Sequence, residues 1–122
     1  MIRTETDGAV TTAILDAPEV KNAFSARMIG DLREVIVNAD ADSDCRCLVI
    51  TGANETFCAG RDLSEGVDSE LEAVLKRESA WEELFQQLHR LRKPSVAVVE
   101  GYAVAGGFTL AKGCDFVVSE VG

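Results

Sequence analysis

The sequence predicts an α/β protein built on a largely parallel sheet, and three observations lead to that class. Short, almost continuously apolar runs recur, among them Cys47–Thr51 and Val96–Val99. They are too uniform for strands with one wet face. Between them lie segments whose apolar residues return at three- and four-residue steps, the helical period. The two kinds of segment alternate along the chain, the pattern of strands joined by crossover helices.

Gly8–Asp16, rich in β-branched and small residues, reads as the first strand and ends where Pro18 stops a ladder. Ser25 is a suitable N-cap for a helix to about Ala39, with Met28, Ile29, Leu32, Val35, Ile36 and Ala39 forming one apolar stripe. Asp40–Asp44 is an acidic loop before the strand Cys47–Thr51, and Gly52–Glu55 is a turn. Leu63–Ser69 reads as a connector, followed by a long helix from about Ser69 to Arg92. On it Leu71, Val74, Leu75, Trp81, Leu84, Phe85, Leu88 and Leu91 share one side, which suits core packing. Pro94 closes this helix, and Ser95–Glu100 is the next strand. Gly106-Gly107 opens a short helix to about Lys112, and Asp115–Ser119 is a last strand.

The chain has 122 residues, enough for one core, and 47% of them are hydrophobic in blocks, which argues against disorder. A formal charge of −9 repels phosphate backbones and argues against a nucleic-acid partner. Met1–Asp7 has no apolar segment of the kind a signal peptide needs, and no run is long enough to span a membrane. A cytoplasmic location with no membrane partner is expected. Cys45, Cys47, Cys58 and Cys114 fit neither a zinc knuckle nor a redox pair, so they read as buried free thiols. With one histidine, His89, near a helix end and no serine motif, neither a metal site nor a triad is expected.

Two glycine-bearing segments remain, Phe57–Leu63 and Gly101–Phe108, each following an apolar strand. They lack the G-x-G-x-x-G spacing of dinucleotide folds, the G-K-[ST] of a P-loop and the G-x-S-x-G of a hydrolase elbow. Small residues at a strand exit let main-chain N–H groups approach a ligand, and two such donors aimed at one point stabilise an oxyanion.

Together with Lys21-Asn22-Ala23-Phe24-Ser25, Leu48–Gly52, Lys93-Pro94 and Cys114-Asp115, these segments resemble the enoyl-CoA hydratase/isomerase (crotonase) family in order and spacing. The resemblance implies a crotonase-like β-β-α spiral, of which residues 1–122 would be the N-terminal part of one domain about twice as long. It implies an acyl-CoA thioester substrate, with coenzyme A arriving as part of that substrate and no separate cofactor. A homo-oligomer, trimeric or hexameric in the family's full-length form, is the expected assembly. By motif position, the backbone N–H groups of Arg61 and Gly106 would form the oxyanion hole. Lys21, Ala23, Ala59, Gly60, Arg61, Asp62, Leu63, Gly106 and Gly107 would line the substrate and its CoA moiety. Asp62 also suits capping of the following turn.

The chain departs from the family's hydratases at Thr109, three residues after Gly106, where they usually carry a glutamate. A threonine hydroxyl orients water or a carbonyl but is no general base at neutral pH. The second family glutamate belongs to a later part of the fold, past Gly122. The expectation is therefore a fragment of a longer gene or one piece of a split enzyme. Its function would be acyl-CoA processing through a thioester enolate, or alternatively CoA binding or an interaction role without catalysis.

Overall fold

The computed structural model describes residues 2–17, 22, 25–53, 57, 71–101 and 106–119, with backbone alone at 72–74, 77 and 106–108. Chain order is β1 (Ile2–Asp7), β2 (Val10–Leu15), α1 (Ala26–Ala41), β3 (Cys47–Gly52), α2 (Leu71–Arg90), β4 (Ser95–Val99), α3 (Gly106–Gly113) and β5 (Phe116–Ser119). The strands lie side by side in that same order in one sheet. β1 and β2 pair antiparallel, and every later pair is parallel.

The opening departs from the sequence expectation of a single strand over Gly8–Asp16. Gly8, at φ +60°, and Ala9 form a two-residue turn between Asp7 and Val10, which face each other in register. Such turns need a positive φ that glycine adopts without steric cost. β1 was hidden because five of its six residues are exposed and bear polar or charged side chains. Such a strand has no apolar signature. Its polarity suits an edge strand, where charge discourages pairing with other chains.

α1 starts where expected. The Ser25 hydroxyl accepts a hydrogen bond from the Met28 N–H at 3.0 Å, occupying a donor that the helix itself leaves unpaired. Met28, Ile29, Leu32, Ile36 and Ala39 are buried, so the predicted stripe is the core face. On α2 the stripe is only half realised. Leu84 and Leu88 are buried and Trp81 packs edge-on against Phe85, with ring centroids 4.9 Å apart. Leu71 and Leu75, in the first turns, are 72% and 56% exposed. Periodicity marks which side of a helix is apolar; it does not say how far along that side a neighbour extends.

Each parallel step of the sheet advances by one strand through one helix. α1 packs on α2 and α2 on α3, while α1 meets β1 and β2 and α3 meets β4 and β5. The helices therefore lie on a common face, as crossovers of one hand require when strands are added in one direction. Alternation along each strand sends Ala13, Leu15, Leu48, Ile50 and Ala97 to that face, where they are buried with the helix residues.

Basic residues after α2 serve the neighbouring helix. The Lys93 ammonium donates to the carbonyls of Ala39 and Asp42 at the end of α1. Arg92 donates from its backbone and its guanidinium to Asp40. The run Arg90–Lys93 thus supplies its last two cations to α1, which has no basic residue in its final turn. These contacts hold Asp40 below its ordinary carboxylate range, chiefly through the Arg92 backbone hydrogen bond and then its side chain.

Candidate functional site at the carboxyl edge of the sheet

Parallel strands β2, β3 and β4 all point their carboxyl ends to one edge, and in sequence the proposed substrate-contacting residues follow those ends. In open parallel sheets this edge is where ligands collect. Here the first two exits are fastened to each other. Ala53, just past β3, donates its N–H to the Leu15 carbonyl at 2.9 Å. Asn22 is 1% exposed and holds the loop after β2 from inside. Its side-chain oxygen accepts the Ala17 N–H at 2.7 Å, its own N–H donates to the Ala17 carbonyl at 2.9 Å, and its amide nitrogen reaches the Ala53 carbonyl at 3.5 Å. Phe57, beyond the β3 exit in sequence, is fully buried in the core.

Asn22 sits at φ 58°, the left-handed region that asparagine tolerates better than most residues. It lies inside a quoted motif, yet sequence reasoning gave it no role. The available signal was its type: an asparagine amid small residues after a strand is a residue whose side chain can replace a turn's backbone partner.

The third exit leads to α3. Its C-terminal end is tied to the start of β4, where the Asp115 carboxylate accepts the Ser95 N–H at 2.9 Å and the Ser95 hydroxyl accepts the Asp115 N–H at 3.0 Å. Gly113 approaches α2 closely; a Cβ there would lie 3.3 Å from Phe85 and 3.4 Å from Leu88. Eight helical residues rise about 12 Å, close to the length of β4. α3 therefore runs back along β4, with its first residue, Gly106, at the carboxyl edge. The first turn of a helix has N–H groups without intrahelical partners and a partial positive charge. Gly101, at φ +69°, makes the bend that leaves β4.

Of the sequence-predicted site residues, the structure places Gly106 and Gly107 at the start of α3 and Thr109 three residues on, exposed and one turn further along. Lys21, Ala23, Ala59, Gly60, Arg61, Asp62 and Leu63 lie outside the described residues, as does Cys58. Cys45 and Cys114 are buried free thiols and Cys47 is half-buried. Burial pushes the Cys114 thiol up to about 11. Among the described residues, no group of three or more His, Cys, Asp or Glu is placed to hold a metal ion. None of their helices is long and apolar enough to cross a membrane.

Comparison with known proteins agrees with this architecture. Residues 5–120 match the family model described as enoyl-CoA hydratase/isomerase. The chain is 35% identical over 122 residues to 1,2-epoxyphenylacetyl-CoA isomerase of Escherichia coli (strain K12), covering 97% of this chain and 47% of that protein. It is 29% identical over 124 residues to hydroxycinnamoyl-CoA hydratase-lyase of Pseudomonas fluorescens, covering 96% of this chain and 44% of that protein. A crystal structure of an enoyl-CoA hydratase from Polaromonas sp. JS666 superposes with a TM-score of 0.92 at 30% identity, over 97% of this chain and 47% of the other. The chain thus spans about half the length of the relatives it matches, and its fold is that of the crotonases. With nearly its whole length inside the family model, the chain belongs to the enoyl-CoA hydratase/isomerase family.

Proposed function

We propose that the carboxyl edge of this sheet binds an acyl-CoA thioester and that main-chain N–H groups of Arg61 and Gly106 form an oxyanion hole for its carbonyl oxygen. The observation that carries the reading is the position of Gly106, first residue of α3, at the exit of a parallel strand. Its N–H is one that the helix leaves unpaired, and the glycine has no Cβ to obstruct an approaching carbonyl. Charge developing on the thioester oxygen as an enolate forms is stabilised by such a donor by about 3–4 kcal/mol. Lys21, Ala23 and the stretch Ala59–Leu63 supply the rest of the substrate contacts. In this reading residues 1–122 are the front part of one domain, and the carboxylates that decide the fate of the enolate lie outside it.

Thr109 bears on the reaction. At this position a hydroxyl orients water or a carbonyl and abstracts no proton near neutral pH, so direct hydration with a base from α3 is disfavoured. This residue supports a second reading, CoA-thioester binding without turnover by this chain alone.

The test is to titrate the folded chain with crotonyl-CoA and a 3-enoyl-CoA, following binding, hydration and double-bond shift. Binding is expected. A folded protein that binds neither thioester overturns the proposal, and binding with no turnover selects the second reading. Gly106→Pro removes one donor while proline remains compatible with the first position of a helix. Any turnover should fall about 10²–10³-fold, and undiminished turnover contradicts the assignment of Gly106.

A further inference from the structure

Past their last register pair, Leu15 and Gly52, strands β2 and β3 part into two loops that carry most of the proposed substrate contacts. They do not part freely. The Ala53 N–H still donates to the Leu15 carbonyl, and one step further out the Asn22 side chain spans the gap between Ala17 and Ala53. The Ala17 N–H needs an acceptor, so the amide oxygen faces it at 2.7 Å. The amide nitrogen is then the atom that meets the Ala53 carbonyl, at 3.5 Å. Ala17 and Asn22 are each 1% exposed, which keeps water from replacing either partner without a penalty.

Several demands meet at this position, and asparagine answers them together. Glycine accepts a φ of 58° but brings no side chain. Aspartate tolerates that φ and accepts the Ala17 N–H, yet it has no donor and would set a buried charge against the Ala53 carbonyl. A turn by itself is served by either of those residues. The amide is needed for the bridge.

We infer that Asn22 is a positioning residue for the acyl-CoA thioester: by tying the loop after β2 to the exit of β3, it fixes the spacing between the contacts of Lys21 and Ala23 and the oxyanion donor of Arg61. This role rests on the thioester reading. Lys21 and Ala23 are bonded directly to Asn22, so their Cα atoms lie about 3.8 Å from its own. The chain past Ala53 leads on to Arg61. In that reading Lys21 and Ala23 contact the CoA moiety, and the Arg61 N–H holds the thioester oxygen. A ligand that touches both loops binds best when their separation is set in advance; loops that move independently must be ordered by the ligand itself. A ligand that touches one loop gains nothing from the tie.

The test compares crotonyl-CoA with crotonyl-pantetheine, which carries the same thioester without the nucleotide, by calorimetric titration of the folded chain. Asn22→Gly suits the backbone conformation and removes both side-chain bonds, whereas Asn22→Asp keeps the acceptor and removes the donor. Both should weaken crotonyl-CoA binding about tenfold or more and change crotonyl-pantetheine binding less than about threefold. Lys93→Met, which loosens the opposite end of α1, should bind both thioesters as the wild type does. In the wild type, saturating crotonyl-pantetheine should slow amide exchange at Ala17 and Asn22 as well as at Ala53, because the tie passes order from one loop to the other. That measurement decides alone if the variants do not fold. Three results overturn the role of Asn22: crotonyl-CoA affinity unchanged in both variants, equal loss of both thioesters, or wild-type protection that stops at Ala53. A folded wild type that binds neither thioester overturns the thioester reading and this role with it, so the wild type by itself tells the two failures apart.

Discussion

Among the described residues, Asn22 ties the loop after β2 to the exit of β3. Its side chain takes the place of a backbone partner for the Ala17 N–H, and its own backbone is left-handed. Asn22→Ala would orphan a buried donor and impose the left-handed cost on a residue with a Cβ. We expect a loss of about 2–4 kcal/mol, read as a shift in the urea midpoint. Asp115 is the corresponding residue at the opposite edge. Asp115→Ala leaves the buried Ser95 N–H without its acceptor and should cost about 1–3 kcal/mol by the same measurement, with Asp115→Asn restoring part of it. Cys114 gives a pH signature. Its folded thiol titrates near 11, above its ordinary 9.0, so the folded state holds that proton more tightly than the unfolded chain does. The stabilisation is complete below pH 9 and is lost as pH rises from 9 to 11. Cys114→Ala should flatten stability over that interval. Residue type hinted at the turn role of Asn22 and at a buried thiol for Cys114, but not at the partners of either. Asn22, Asp115 and Cys114 stood in quoted motifs, but their hydrogen bonds and burial depend on segments brought together by the fold.

Helices and parallel strands were far more legible. α1 could be read from Ser25 and its stripe, because a capped amphipathic helix carries both its start and its buried side in local sequence. Strands β3 and β4 showed themselves as apolar runs because helices cover one face and the residues on the other are half-buried and largely apolar. β1 escaped, since an exposed edge strand resembles a polar tail. The first turns of α2 were overread as core for the converse reason. The join between α1 and the loop after α2 also lay beyond sequence reading, since Lys93 reaches carbonyls more than fifty residues away. Lys93→Met should weaken the end of α1 by about 1 kcal/mol. The check is faster amide exchange confined to the α1 C-terminus and its following loop, while the Ser25 end stays unchanged.

Among the described residues, one outer strand of the sheet, β1, is polar and the other, β5, is apolar. The proposed site lies where the parallel strands exit. In the isolated chain, amides of β2, β3 and β4 should exchange most slowly, and those of β5 at least tenfold faster, because β5 has one strand neighbour and few buried side chains. Sequence alone determined the alternation of strands and helices and the family, because periodicity, turn residues and motif spacing are local properties of a chain. Tertiary structure decided which edge of the sheet is guarded, where Gly106 stands relative to the strand exits, and which apolar residues remain uncovered. Those outcomes depend on neighbours distant in sequence, and no local pattern records whether a neighbour is there.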